Sequence, residues 1–546
     1  MNVRAFPERG AAVAALLLGV CATAGAQALP ALPDPGALQR SQQQQQEFLN
    51  SPPQAPQAVP PVLRDEQAQP GAQPGPASAA RFVLKKIEFT PSHYLSEAQL
   101  QAVAGRHVGQ EVRYDDLQKV IGEINALYRE QQILTARAIL PPQRVADGVV
   151  RIELVEGKLG QSSIEGNETT RASWIDGWLG AQPGEPLDTS TLERKLELYN
   201  HVNSTQLNAR LRPGEAFGAT DLVIQAQEPP RYQMQVFADN MGSPSTGRNE
   251  LGASGAINNL LGIGDQLGVY LMHSEGADSG ALNYSLPVNQ SGGRLGASFS
   301  SLSSHVVSGP YRDFDVDGRS RNARLQFSQP VLHRGAWWLD GTLGFGQTRA
   351  SNEILGAELG DYSVRSASVG LQATGLYDTR SFSVGLIFSN NLMSSDQEDD
   401  RRANLWNFSG SWTEKITDAD YSVVRVGGQQ SSSDVLLNGS LAMQLGGAGT
   451  VRGYDPGAVS GDSGYYANLE WHHRLFDRVT GYAFADVGGV HTQDTPSQRI
   501  GSFGLGVDVT LTKAAQLSVV AARASNIVFE DQGRWQVTAR VSWQVF

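Results

Sequence analysis

Trp535-Gln536-Val537-Thr538-Ala539-Arg540-Val541-Ser542-Trp543-Gln544-Val545-Phe546 closes the chain. Successive side chains of a strand point to opposite sides. Trp535, Val537, Ala539, Val541, Trp543 and Val545 therefore share one face, and Gln536, Thr538, Arg540, Ser542 and Gln544 the other. In a soluble sandwich the apolar face would pack inward. Tryptophan near both ends of that face instead matches the aromatic girdles of a membrane barrel. By the same alternation Phe546 falls with the polar set. Tyr465, Ala467, Leu469 and Trp471 repeat the pattern, opposite Tyr466, Asn468, Glu470 and His472.

Working back from the C-terminus, alternation persists as far as Glu228-Pro229-Pro230, where helical periodicity takes over. Strands are predicted near 231–240, 248–258, 265–273, 280–288, 293–306, 318–330, 336–350 and 361–377. The others fall near 379–391, 403–413, 421–432, 463–474, 479–489, 501–511, 515–524 and 535–546. Their number is even, as bacterial outer-membrane barrels require. The expected architecture is thus α+β plus all-β, with a C-terminal transmembrane β-barrel over 231–546.

Composition agrees with that reading. After the first residues no apolar run approaches the length of a transmembrane helix. A net charge of -12 and a polar mean hydropathy also suit a barrel whose lumen-facing residues dilute the lipid-facing ones. The acidic balance argues against nucleic acid as a partner. Residues 1–26 read as a secretory signal: Arg4 and Arg9, then the apolar Ala11 to Val20, then Ala24-Gly25-Ala26. Cys21, the single cysteine, lies inside it, so the exported chain is expected to hold no disulfide and no cysteine-bound metal.

Residues 27–80 are rich in Pro, Gln and Ala and read mostly as linker. The proline-free island from Gly36 to Leu49 reads either as a short polar helix ended by Ser51-Pro52-Pro53 or as a glutamine tract without structure. From Arg81 the texture changes. Phe82 to Phe89 is a strand, Glu97 to Val103 a helix capped by Ser96, and Leu117, Val120, Ile121, Ile124, Leu127 and Tyr128 mark a second helix. Strands Leu134 to Leu140 and Val149 to Val155 follow. The order then recurs, with a strand at Gln161 to Glu165, helices at Arg171 to Leu179 and around Leu192, Leu196 and Tyr199, and strands at Thr205 to Arg212 and Ala219 to Gln227. Two small modules, 81–158 and 159–228, thus form an internal repeat. Each is expected to carry a three-stranded sheet whose edge strand can receive an extended polypeptide.

The short motifs give no catalytic constellation. Gly461-Asp462-Ser463-Gly464 spells a protease nucleophile motif without a partner histidine motif. His472 and His473 are adjacent, so on a strand they point apart and cannot share a metal. Gly262-Ile263-Gly264-Asp265 lies between strands and reads as a turn. The chain is expected to be no enzyme and to use no cofactor.

What stands out is electrostatic. Gly446-Gly447-Ala448-Gly449-Thr450-Val451-Arg452-Gly453-Tyr454-Asp455-Pro456-Gly457 places one arginine in a run that glycine lets fold compactly. Such a loop can enter a lumen, where arginine needs a carboxylate. In strand 479–489, Tyr482, Phe484 and Asp486 share a face opposite the small apolar Gly481, Ala483, Ala485 and Val487. Lipid takes the second set, so Asp486 points into the lumen, as does Glu470 on the preceding strand. Arg452 with Asp486 is the candidate contact between loop and wall.

These residues resemble the outer-membrane transporters of two-partner secretion, the haemolysin secretion and activation family within the outer-membrane assembly-factor superfamily. The resemblance runs from about Arg81 to Phe546. It rests on Ile124-Asn125-Ala126-Leu127-Tyr128, Ala138-Ile139-Leu140-Pro141-Pro142-Gln143, Leu154-Val155-Glu156-Gly157, Leu211-Arg212-Pro213-Gly214, Asn259-Leu260-Leu261-Gly262-Ile263-Gly264-Asp265, Val451-Arg452-Gly453-Tyr454 and Phe484-Ala485-Asp486. It implies an outer-membrane location, two tandem periplasmic POTRA domains (βααββ) and a 16-stranded barrel. A long loop would fold back into the pore with Arg452 at its tip, paired with Asp486; Gly453, Tyr454, Phe484 and Glu470 are the neighbouring site candidates. It implies also a helix plugging the barrel, for which 36–49 is the candidate. The implied partners are a secreted exoprotein with an N-terminal secretion domain, outer-membrane lipid, and the barrel-assembly machinery for insertion. The alternative is an assembly factor that inserts other barrel proteins.

Overall fold

The computed structural model describes residues 33–50, 56, 62–65, 81–145, 147–397, 399–432, 435–528 and 532–546. The expected signal and Cys21 lie outside them. The chain divides into two compact units, one of residues 60–229 with 259–264, the other of 1–59, 230–258 and 265–546.

The first unit contains both modules. In the first, helices Glu97–Gly105 and Tyr114–Glu130 pack on a sheet ordered Lys86–Phe89, Val149–Glu156, Ala136–Ile139. Leu117, Val120, Ile121, Ile124 and Tyr128 are buried along one side of the second helix, as their spacing dictates. The strand expected over Phe82 to Phe89 is broken into Phe82–Val83 and Lys86–Phe89. The chain changes partner there: Val83 pairs with Glu111, whereas Lys85 and Lys86 donate to Gly148 O at 2.8 and 3.3 Å.

The second module has helices Ala172–Leu179 and Thr189–Val202. Asp188 caps the latter, its carboxylate accepting from the Ser190 and Thr191 amides at 3.0 and 3.1 Å. Its sheet has four strands, not three, in the order Leu63–Asp65, Gln206–Pro213, Ala219–Gln227, Lys158–Glu165. The first comes from the segment read as linker and pairs in parallel, Leu63 opposite Ala209. Leu63 is buried in the module's core beside Leu207 and Leu211. One buried leucine compensates for a context that otherwise disfavours order, but three residues are too short to show a period. The edge at Gln206–Pro213 is therefore already occupied by the chain itself.

In the second unit all sixteen strands form one closed antiparallel barrel. Tyr232–Asp239 closes it against Trp535–Gln544, Val236 opposite Trp543. The apolar face of the last strand is outermost, with Trp535 and Trp543 more than half exposed, and Leu469, Trp471 and Val487 are exposed on their strands in the same way. Phe546 is exposed too, beyond the end of the strand at Gln544.

The island read between helix and tract is a helix, Pro35–Asn50. It lies within the barrel against lumen-facing wall residues. Gln39 Nε2 donates to Ser300 Oγ at 2.9 Å, and Ser320 Oγ donates to Gln39 Oε1 at 2.6 Å. Gln43 reaches Ser300 at 3.1 Å and Tyr362 Oη donates to Asp34 at 2.8 Å. Arg40 Nη2 donates to Gln429 Oε1 at 2.7 Å.

Ile124, fully buried between helix and sheet, measures the independence of the modules. Ile124→Ala is expected to cost about 2–5 kcal/mol through lost transfer energy and a cavity. Thermal unfolding should show the modules melting earlier while the barrel keeps its heat-modifiable electrophoretic shift. A simultaneous loss of the barrel would contradict the separation into two units.

Candidate functional site

The loop between strands Asp420–Ser431 and Ser463–Phe476 makes its own small hairpin before it reaches the wall. Met443–Leu445 pairs antiparallel with Val459–Gly461. Gly446 and Gly447 then turn the chain at φ 116° and 84°, a region costly for any side chain. Thr450 ties the turn by accepting from the Gly446 amide at 2.8 Å, and the Gly447 amide donates to Tyr454 O at 2.8 Å. Leu445, Val451, Tyr454 and Val459 bury together against Val490 and Ile500 of the wall. The loop thus has an apolar base as well as a charged tip.

The tip is Arg452. Its Nη2 donates to Asp486 Oδ1 at 2.6 Å, its Nε to Oδ2 at 3.0 Å, and its backbone amide to the same Oδ2 at 3.0 Å. Nη1 donates to Glu470 Oε1 at 2.7 Å. The guanidinium carbon lies 3.7 Å from the centre of the Phe484 ring, a cation–π contact strengthened by exclusion of water. The side chains of Arg452, Asp486 and Glu470 are 5%, 0% and 2% exposed. A bidentate arginine–carboxylate pair is among the stronger charge-assisted contacts. Burial makes the loss of either partner costly.

The wall supplies the rest. Asn468 Nδ2 and Ser502 Oγ donate to Asp486 at 2.8 and 3.0 Å, from the strands on either side. Both are register partners of Asp486. Arg425 Nη1 lies 3.3 Å from Glu470 Oε1, and His472 Nε2 is 2.8 Å from Glu470 Oε2. His472 is stacked between Tyr421 and Tyr482, while His473 reaches Asp420 on another strand. A Cβ on Gly504 would stand 2.6 Å from the Phe484 ring, so glycine there makes room for the aromatic under the guanidinium. A Cβ on Gly453 would stand 2.7 Å from Ser502 Cβ, which explains glycine after the arginine. Tyr454, 1% exposed, donates to Asn526 Oδ1 at 2.8 Å.

All six sequence candidates, Arg452, Gly453, Tyr454, Phe484, Asp486 and Glu470, therefore meet in one place. Asn468, Ser502, Arg425 and His472 were not singled out. Asn468 and His472 share the lumenal parity of Glu470, which was the available signal; for Ser502 only register could have provided one. Asp462 and Ser463 of the protease-like motif serve as hydrogen-bond acceptors instead, for the Leu437 and Ser431 amides at 3.0 Å each. Gly262 and Gly264 both have left-handed φ, as a turn requires.

Residues 218–511 match the family described as haemolysin secretion/activation protein ShlB/FhaC/HecB, and 82–157 match the ShlB-type POTRA domain. Among curated relatives, the outer membrane transporter CdiB of Dickeya dadantii is 27% identical over 444 residues, covering 76% of this chain and 77% of its own. The heme/hemopexin transporter protein HuxB of Haemophilus influenzae is 26% identical over 395 residues, covering 69% of each chain. The solved structure of CdiB from Escherichia coli superposes with a TM-score of 0.71 at 23% identity, over 95% of this chain and all of that one; at that identity it speaks for the fold. With more than half of its length matched, the chain belongs to the haemolysin secretion/activation family of two-partner secretion transporters, its barrel in the outer membrane and its POTRA domains in the periplasm.

Proposed function

We propose that this chain exports one large partner exoprotein through the barrel, with the Arg452 loop latched to Asp486 and the helix Pro35–Asn50 plugging the lumen at rest. The observation that carries the reading is the buried cluster of Arg452, Asp486 and Glu470. A loop whose only task was to cap the surface would gain nothing by burying an arginine.

The two lumenal elements are held differently. Arg40 of the helix donates to Gln429 Oε1 and to the Ser440 and Leu441 carbonyls, whereas the glutamines among the described residues bond through neutral amide–hydroxyl or amide–carbonyl pairs. Each is worth about 0.5–1.5 kcal/mol net, because water offers nearly the same bond. Such a seat is readily exchanged. The Arg452 contact is charged, bidentate and dry, and so holds the loop through the exit of the helix. The unfolded partner is received at a free edge of the POTRA sheets, among them the part of Lys158–Glu165 beyond Leu159, since Gln206–Pro213 is covered and Leu159 is bonded to Gly184 and Glu185. The energy of transport comes from binding and from folding of the partner outside. The alternative, an assembly factor inserting other barrels, is distinguished by its cargo.

Arg452→Ala should remove about 3–5 kcal/mol of pairing and leave Asp486 with only neutral donors, Asn468, Ser502 and the backbone amide of residue 452. Secretion of the partner, read by immunoblot of the culture medium, is expected to fall at least tenfold with barrel assembly unchanged. Full secretion from an assembled mutant barrel would refute the latch. If assembly of unrelated barrels fails instead, the assembly-factor reading takes over.

A second measurement addresses the helix. With Cys21 the only natural cysteine, Gln39→Cys with Ser320→Cys can be bridged by a short bifunctional thiol reagent. Bridging should block export, and the two single cysteine variants should export normally with the same reagent. Undiminished export by the bridged protein would mean that the helix need not leave.

A further inference from the structure

The outward face of one barrel wall carries arginines where a lipid-facing strand would ordinarily end in aromatics. On strand Val316–Arg334, Ser320 touches Gln39 in the lumen, so Arg319 and Arg321 point outward. Arg349 is the register partner of Arg321, and Arg365 that of Gln347, which pairs with the outward Ala323. Arg402 follows across Leu392. Each of these arginines is exposed.

Their height is set by the apolar rows beneath. Arg321, Arg349, Arg365 and Arg402 each lie four residues above Leu325, Phe345, Val369 and Trp406, all outward and exposed. Four residues span about 13 Å of strand, or about 10 Å along the axis of a barrel tilted by roughly 40°. With the POTRA domains in the periplasm, the sixth strand, Val316–Arg334, descends from the cell surface. The arginines therefore sit on the extracellular side of the apolar band, at the headgroups of the outer leaflet.

Arg319, Arg321, Arg365 and Arg402 have no ion pair among the described residues, and Arg349 contacts the Gln347 amide. Arg321 and Arg349 face each other directly, an arrangement that costs stability unless an anion lies between. The chain as a whole is acidic, at -12, so the patch runs against its average. A cleft of about 820 Å³ opens beside them, lined by Phe299, Arg319, Arg321, Arg349, Asp361 and Asp396, so the arginines outnumber the carboxylates. Asp361 shares a row with Arg319, Ser351 lying between the two, and stands one outward position from the Arg321–Arg349 pair. Guanidinium forks over an apolar floor match a phosphorylated glycolipid: arginine binds phosphate bidentately, and acyl chains cover Phe299 and Phe345.

We propose that Arg321, Arg349 and Arg365 form an external docking site for the phosphate groups of outer-leaflet lipopolysaccharide. The site fixes the tall strands of this wall against the headgroup layer while the lumen changes.

The test uses the full-length protein in neutral detergent, stripped of lipopolysaccharide, with bis-phosphorylated lipid A as the probe. The double variant Arg321→Gln, Arg349→Gln should bind it at least about tenfold more weakly than the unaltered protein. Dephosphorylated lipid A should bind the unaltered protein as weakly as the variant binds lipid A. Equal affinity of variant and unaltered protein for lipid A overturns the proposal. So does displacement of lipid A by equimolar inorganic phosphate, which would make the ligand a free anion. Should the double variant fail to assemble, Arg365→Gln alone gives the same readout, with the same expected and refuting results.

Discussion

One buried positive charge organises the lumen. An arginine taken out of water loses several kcal/mol of hydration, and only a close carboxylate with its own hydrogen bonds restores it. Here the restoration is distributed. Asp486 takes three bonds from Arg452 and two from neighbouring strands. Glu470 shares its charge between Arg452, Arg425 and His472. The backbone amide of Arg452 is one of the donors, so the loop is fixed at its chain as well as at its side chain. Four adjacent strands must keep register for all of this to hold, which ties the conformation of the loop to the closure of the wall behind it.

The helix in the same lumen answers to a different constraint. Glutamine is uncharged, long and able both to donate and to accept, and it meets a wall of serines and carbonyls. An apolar plug would bury surface and resist departure, whereas a charged plug would need fixed partners. The glutamines do neither, and the one guanidinium that the helix brings, Arg40, meets the neutral acceptors of Gln429, Ser440 and Leu441. The helix's specificity comes from shape: a Cβ on Gly36 would stand 2.9 Å from Ser440 Cβ, so only glycine passes where the helix begins. The same composition that makes the island look featureless in sequence therefore gives it a lumenal seat held mostly by neutral bonds.

The barrel was legible because lipid imposes alternation on every strand, and parity alone turned Asp486 and Glu470 into the lumen. Tryptophans 471, 535 and 543 marked the lipid face for the same reason. The strand Leu63–Asp65 was not legible, since three residues cannot display a period and its order comes from Leu63 entering a core whose other buried members run from Leu159 to Ala226. Ser502 was hidden because a small hydroxyl is ordinary on any lumenal face; only pairing opposite Asp486 distinguishes it. The outward arginines escaped for a related reason. Above the apolar band alternation no longer separates lipid from water, so Arg321 and Arg349 read as surface charge until register sets them side by side.

The covered edge of the second POTRA sheet narrows what a partner can do there. Leu63–Asp65 pairs in parallel with Gln206–Pro213, and Val62 O accepts from the Ala209 amide at 2.7 Å. A three-residue ladder is short, and its strength rests on the burial of Leu63 more than on its hydrogen bonds. Any extended chain seeking that edge must displace a segment joined covalently to the sheet, which competes at the high effective concentration of a tether. The opposite edge, Lys158–Glu165, is met by the chain only at its start, where the Leu159 amide donates to Glu185 O at 2.8 Å and Leu159 O accepts from the Gly184 amide at 2.7 Å. The two edges of this sheet are therefore guarded unequally, one by a segment anchored through a buried leucine and the other by a turn that reaches no further than Leu159.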